Sequence, residues 1–219
     1  QESMNMFSMV AKMGAVLDWA KPTAVAEEWT YLFKNVAKGF MEIGITKGSH
    51  VGVWATNVPD WLTVLYACAK LGAVAVTVNT NYKQSELEYV CQNADMHTLC
   101  IIDRERESDF VTMVYNMLPE LRTCQRGNLK SEKFPMLKNV VFIGQEKYRG
   151  MYNIPELLLL GKNSLREDEF AHIKDTVNCH DVVNMQYTSG TTGFPKGVML
   201  THHRSEERRV GKECDLMCR

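Results

Sequence analysis

The sequence predicts an α/β fold, a largely parallel sheet of βαβ units layered with helices. Three observations carry this. Helical and β-rich signals alternate through the middle of the chain, the pattern of parallel strands joined by helical crossovers. The run "AVAVTVN" (Ala73–Asn79) is apolar at nearly every position, as expected of a strand covered on both faces. Helical stretches are punctuated by proline at the start and glycine at the end, as at Pro59 and Gly72.

Taken in order, residues up to about Pro22 give only a weak helical pattern. "WTYLFKNVAKGFMEIGI" (Trp29–Ile45) places Leu32, Val36, Phe40 and Ile43 at helical spacing, and "TKGSH" (Thr46–His50) is a turn. "VGVWAT" (Val51–Thr56) is a short strand. "NVPDWLTVLYACAKLG" (Asn57–Gly72) is a helix entered near Pro59, and the strand Ala73–Asn79 follows. "KQSELEYVCQNAD" (Lys83–Asp95) starts a helix at Ser85, with Glu88 placed as in a capping box. "HTLCIID" (His97–Asp103) is a strand, Asp109–Met117 a helix ending near Pro119, and "LKNVVFIG" (Leu137–Gly144) a strand. "RGNLKSEKFP" (Arg126–Pro135) is the best candidate for a surface loop. "DVVNMQYTSG" (Asp181–Gly190) is a strand opening into a loop, beyond which "GVMLTH" (Gly197–His202) is strand-like.

The 219 residues suit one large domain or most of one, and 45% hydrophobic with 23% charged residues is an ordinary globular composition. Twenty-five Lys and Arg against 26 Asp and Glu leave a net charge of -1, with no basic excess to suggest nucleic acid or an anionic membrane surface as partner. No apolar run approaches a bilayer span; the longest, Val64–Val78, is broken by Lys70 and Gly72. No secretory signal opens the given sequence, and with Gln1 in place of an initiator Met its start is expected not to be the native one. Seven scattered cysteines without a CxxC pair point to free thiols in a reducing cytoplasm, and six histidines show no metal-ligand spacing.

The stretch "YTSGTTGFPKGVMLTH" (Tyr187–His202) gathers Ser189, Gly190, Thr191, Thr192, Gly193 and Gly197 around one lysine, Lys196. Glycines admit positive φ and let backbone N–H groups converge; hydroxyls add donors for phosphate oxygens; the lysine adds a mobile charge. Together they make a phosphate cradle, set against the plainer alternative of a flexible hairpin turn. It is not a Walker A loop, because the lysine precedes its glycine and the flanking context is strand, loop, strand; nor is it the dinucleotide GxGxxG.

"YTSGTTGFPKGV" resembles the phosphate-loop signature of the adenylate-forming enzymes: acyl-CoA synthetases, luciferases and peptide-synthetase adenylation domains. The resemblance extends upstream through "GITKGSHVGVWATNVPDWLTVLYACAKLGAVAVTVNTNYKQSELEYV" (Gly44–Val90), covers roughly Trp29–His203, and is similar above all to bacterial fatty acyl-CoA synthetases. It implies a reaction of ATP with a carboxylate to give an acyl-adenylate and pyrophosphate, after which coenzyme A takes the acyl group and releases AMP. It implies that Thr188, Ser189, Gly190, Thr191, Thr192, Gly193, Lys196 and Gly197 hold the departing phosphates with Mg²⁺ bridging, and that Lys196 acts in catalysis; no residue of this chain is assigned as a metal ligand.

Other residues carry two readings each. Trp54 and Trp61 read as packing before they read as site residues. "NTNY" (Asn79–Tyr82) is read as a turn and helix start ahead of a site role. "DRERESD" (Asp103–Asp109) is a solvated face before it is a catalytic dyad, and His202 and His203 are candidates to line the site.

The family chain is more than twice as long. The residues it uses for Mg²⁺, ribose, the hinge and a mobile catalytic lysine have no counterpart here, so residues 1–203 are expected to be a partial amino-terminal adenylate-forming domain, inactive alone. The nearly apolar-free "RSEERRVGKEC" (Arg204–Cys214) is what a sequencing adapter gives when read as codons, so residues 204–219 are expected to be a non-native tail. Two alternatives to a fatty acid–CoA ligase stay open: an adenylation domain loading a carrier-protein thiol, and a non-catalytic nucleotide-binding module.

Overall fold

The computed structural model describes residues 22–105, 107–188 and 194–203. Its centre is a sheet of seven strands in the order β7-β6-β3-β1-β2-β8-β9, where β1 is His50–Trp54, β2 Val74–Thr77, β3 Thr98–Ile101, β6 Asn139–Phe142, β7 Tyr152–Asn153, β8 Val182–Thr188 and β9 Lys196–Thr201. Every neighbouring pair is parallel except β8 with β9. The two-residue strands β4 (Arg104–Glu105) and β5 (Ser108–Asp109) form a separate antiparallel hairpin. The five predicted strands all form, each within one to three residues of its predicted ends, and the acidic-basic run around Arg104 lies in this outer hairpin with Asp103 and Arg104 exposed.

The central strands are buried along their length: β1, β2, β3 and β6 are nearly all core, as the continuous apolar runs require. Helices α1 (Pro22–Glu42), α2 (Pro59–Leu71), α3 (Gln84–Asn93), α4 (Phe110–Met117), α5 (Ile154–Lys162) and α6 (Glu167–Thr176) cover the sheet. The predicted punctuation operates. Pro59 opens α2, and Gly72 closes it at φ 64°, its N–H reaching back to the Ala69 carbonyl. Helix α1 ends before the predicted Ile45 because Gly44, at φ 89°, turns the chain so that the Ile45 N–H bonds the Phe40 carbonyl. Asp109 caps α4 by accepting from the Thr112 N–H at 2.8 Å.

Two local features differ from the sequence reading. Helix α3 begins at Gln84, one residue before Ser85, and the glutamate folding back is Glu86, which accepts from the Lys83 N–H at 2.6 Å. Lys83 has no side-chain acceptor to complete a capping box, while Glu88 is held by Gln84 and Lys133 instead. The stretch Arg126–Pro135 is a surface loop as predicted, with no helix or strand and most residues exposed, and Leu129, Ser131 and Phe134 pin it to the core. Helices α5 and α6 have no counterpart in the sequence reading. Pro155 in the first turn and a complete capping box between Asn153 and Glu156 set the start of α5. Helix α6 carries Glu167, Asp168 and Glu169 in its first turn, and Glu167 pairs with Lys34 and Lys38 of α1.

Helices α1 and α5 meet through glycine on both sides. A side chain on Gly39 would strike the Leu157 carbonyl, and one on Gly161 would strike the Asn35 carbonyl. Among the described residues no helix is long and apolar enough to cross a membrane, and Cys68, Cys91, Cys100, Cys124 and Cys179 are all free.

Candidate functional site

Strand β8 is the scaffold of the site. It pairs in parallel with β2, Ala75 opposite Asn184 and Thr77 opposite Gln186, so its end at Thr188 shares an edge with the carboxyl ends of β1, β2 and β3. That edge is where α/β sheets receive ligands. Two side-chain bonds fix this register: Asn184 Nδ2 donates to the Ala75 carbonyl at 3.0 Å, and Thr77 Oγ1 donates to the Met185 carbonyl at 3.3 Å.

From Thr188 the chain turns and returns as β9, antiparallel, with Thr188 opposite Lys196 and Tyr187 opposite Gly197. The predicted strand-loop-strand context is therefore present. Ser189, Gly190, Thr191, Thr192 and Gly193 lie outside the described residues. The two ends of the loop are described. Directly opposed residues of an antiparallel pair project to the same face with Cβ atoms about 5 Å apart, so the Thr188 hydroxyl and the Lys196 side chain stand together at the loop mouth. Both are exposed. Gly197 is extended within β9 and absent from the positive-φ glycines; close approach explains it, since a Cβ there would sit 3.1 Å from Met185 Sδ and 3.3 Å from Tyr187 Cζ.

The base of the hairpin is tied to helix α3. Tyr187 Oη donates to Asn93 Oδ1 at 2.7 Å, Tyr89 Oη donates to the Pro195 carbonyl at 3.2 Å, and the Tyr89 ring stacks on Phe194 with centroids 4.9 Å apart. Burial, with nearby Tyr89 and Cys91, pushes the Tyr187 phenol up to about 12, so it remains a donor at neutral pH. Sequence reasoning missed these contacts with Tyr89 and Asn93. The exposed aromatic Phe194, placed between the loop glycines and Pro195, was the one local signal.

The remaining candidates sort by position. Trp54, fully buried, stacks on Phe110 at 3.9 Å and donates from Nε1 to the Asn79 carbonyl at 3.1 Å; Trp61 is half-buried against the core. Both are packing residues. Asn79 makes a turn, its Oδ1 accepting from the Asn81 N–H and its carbonyl from the Tyr82 N–H. His202 and His203 do not line the loop. They follow the far end of β9, where the His202 N–H bonds the Asp181 carbonyl and the His203 N–H the Cys179 carbonyl. Seven residues of β8 separate that end from the loop mouth, roughly 20 Å at strand rise. At that far end Lys47 Nζ lies 2.7 Å from Asp181 Oδ2, and this bond, with the Asn178 N–H, holds the Asp181 carboxyl below its ordinary range. The buried thiols offer no nucleophile: burial pushes Cys68 and Cys91 up to about 12 and Cys100 well above its ordinary value.

The profile of the "AMP-binding enzyme" family matches residues 27–209, a span that reaches into the stretch expected to be adapter-derived. The Bacillus subtilis protein YngI, named as a candidate acyl-CoA synthetase, is 46% identical over 171 residues, 78% of this chain and 31% of its own length. A mitochondrial medium-chain acyl-CoA ligase of Macaca fascicularis is 33% identical over 169 residues, 77% of this chain and 27% of its own. Among solved structures, a long-chain-fatty-acid–CoA ligase from Archaeoglobus fulgidus superposes with a TM-score of 0.55 at 28% identity, over 80% of this chain and 29% of that one. The chain thus spans about a third of the length of the curated relatives it matches.

Proposed function

Because the chain belongs to the AMP-binding enzymes, we propose that it is the amino-terminal part of an AMP-forming acyl-CoA synthetase that activates fatty acids. A carboxylate attacks the α-phosphorus of ATP, the acyl-adenylate forms and pyrophosphate leaves; the thiol of coenzyme A then attacks the acyl carbon and AMP leaves. The observation that carries this is the hairpin loop rich in hydroxyls and glycines, with Thr188 and Lys196 side by side at the carboxyl edge of a parallel sheet.

The site roles follow from the chemistry. Negative charge builds on the bridging oxygen as pyrophosphate departs, and donors fixed around it lower the barrier. Lys196 supplies a mobile positive charge, Thr188 a hydroxyl, and Ser189, Gly190, Thr191, Thr192 and Gly193 backbone N–H and hydroxyl donors; Gly197 lets the returning strand close on Tyr187. The described residues bring no group of three or more His, Cys, Asp or Glu together, so they do not fit an all-protein cage for Mg²⁺. The names of the relatives favour coenzyme A over a carrier-protein thiol as acceptor, and medium- or long-chain acids as substrates. Free thiols support a reducing compartment such as the cytoplasm. In this reading the domain takes in residues up to 203 and the adapter-like residues 204–219 are a non-native tail, although the family profile runs on to residue 209.

The test is acyl-CoA formation by the full-length protein with ATP, Mg²⁺, coenzyme A and acids from short to long. Medium- or long-chain acyl-CoA with stoichiometric AMP supports the proposal. ADP in place of AMP, or no product with any acid, rejects it.

A further inference from the structure

We propose that Tyr89 is a positioning residue for the phosphate loop, acting with Phe194 as a stacked clamp that holds the Lys196 side of the hairpin ready for ATP. This rests on the loop's role proposed above. Helix α3 presents Tyr89 and Asn93, four positions apart and so on one face, to the base of the hairpin. Each side chain takes one leg. Asn93 Oδ1 accepts from Tyr187 on the outgoing strand at 2.7 Å. Tyr89 holds the returning leg twice, by stacking on Phe194 at 4.9 Å and 24° and by donating to the Pro195 carbonyl at 3.2 Å.

Three consecutive residues are thereby restrained: Phe194 by the ring, Pro195 by the bond and its own fixed φ, Lys196 by its place opposite Thr188. The contacts do little for the fold, since Phe194 is 73% exposed and removes little apolar surface from water. What they restrict is the returning leg of the hairpin from Phe194 to Lys196, where β9 begins. A stem held in one place leaves less to be ordered when ATP arrives, so the clamp is expressed in ATP binding more than in stability.

The experiment uses the full-length protein with Tyr89→Ala, Phe194→Ala, their double variant and Phe194→Tyr, which keeps the ring. Hydrogen exchange of the Phe194, Lys196, Gly197 and Val198 amides is read without nucleotide, and ATP KM and kcat are read in carboxylate-dependent pyrophosphate exchange. The clamp predicts faster exchange in both alanine variants and an ATP KM raised about two- to tenfold, the range of one aromatic pair. It also predicts kcat within twofold, a double variant no worse than the poorer single one, and near-wild-type behaviour for Phe194→Tyr. Phe194→Ala should melt with the wild type, which guards against a folding defect in Tyr89→Ala. Unchanged amide exchange and KM in both single variants, or effects that multiply in the double one, overturn the clamp. If the wild-type protein supports no pyrophosphate exchange, the proposed function fails; amide exchange still decides the clamp, faster in the alanine variants if it exists and unchanged if it does not.

Discussion

Gly161→Ala is a severe test of the packing that backs the sheet. In most helices this substitution stabilises, because alanine has the higher propensity by up to about 1 kcal/mol. Gly161 is buried in α5, and its new Cβ would be driven into the Asn35 carbonyl and against the Gly39 backbone nitrogen of α1. These are backbone atoms of a packed helix and cannot swing aside. The helices must separate, and a radial gap of 0.5–1 Å already forfeits roughly a quarter to a half of each contact's attraction. Overpacking of this kind costs about 3 kcal/mol, at the upper end of the usual range. Set against the propensity gain, the net loss is about 2 kcal/mol. For a chain of this size that lowers Tm by roughly 4–8 °C. Thermal unfolding followed by tryptophan fluorescence, comparing wild type with Gly161→Ala and Gly39→Ala, measures it. Gly39→Ala should fall similarly, and the double variant by less than the sum, because both relieve themselves by the same separation. An unchanged or raised Tm for Gly161→Ala would refute the close approach of α1 and α5.

The residues 1–219 expressed alone should form no acyl-CoA above background, since groups that act as a unit lose most of the rate when any is missing; turnover by a pure sample would show the loop needs no partners beyond this chain. A thiol reagent should modify exposed Cys179 in the folded protein well before buried Cys68, Cys91 and Cys100, with all reacting in denaturant; equal native rates would contradict the burial. The depressed Asp181 carboxyl gives a signed pH effect. Its pairing with Lys47 contributes fully above the unfolded value of about 3.9 and is lost as pH falls through the lower folded value. The Tm difference between wild type and Asp181→Asn should therefore be constant from pH 5 to 7 and shrink below pH 4; a difference that grows on acidification would contradict it. Resequencing the locus should fail to recover codons for Arg204–Cys214, and a genomic clone that encodes them would make the tail native.

The sheet was legible because its determinants are local. Continuous apolar runs, Pro59 and Gly72 act within a few residues, and a largely parallel sheet follows once the alternation is recognised, whereas the strand order and the stop at Gly44 were not read. Helix α6 was not, since its sequence "EDEFAHIKDT" carries few apolar positions and gains its hold from Lys34 and Lys38, some 130 residues away. The same limit applied to the site. The two strands that flank the loop could be read from the sequence around Tyr187–His202 alone, and the loop's phosphate role rests on the proposal. The anchoring of that loop by Tyr89 and Asn93 could not, because a tyrosine and an asparagine on an amphipathic helix look like any half-buried polar pair until the hairpin is laid against them. His202 misled for the opposite reason: closeness in sequence suggested closeness in space, yet a strand's length carries it to the other end of the sheet.

The central claim is that Lys196 stabilises charge on the departing pyrophosphate. Carboxylate-dependent exchange of labelled pyrophosphate into ATP reads that step without coenzyme A. In the full-length protein, Lys196→Ala should slow this exchange on the order of ten- to a thousandfold, as expected for one electrostatic donor aimed at developing charge. Exchange at the wild-type rate in a folded Lys196→Ala variant would remove the loop from the chemistry.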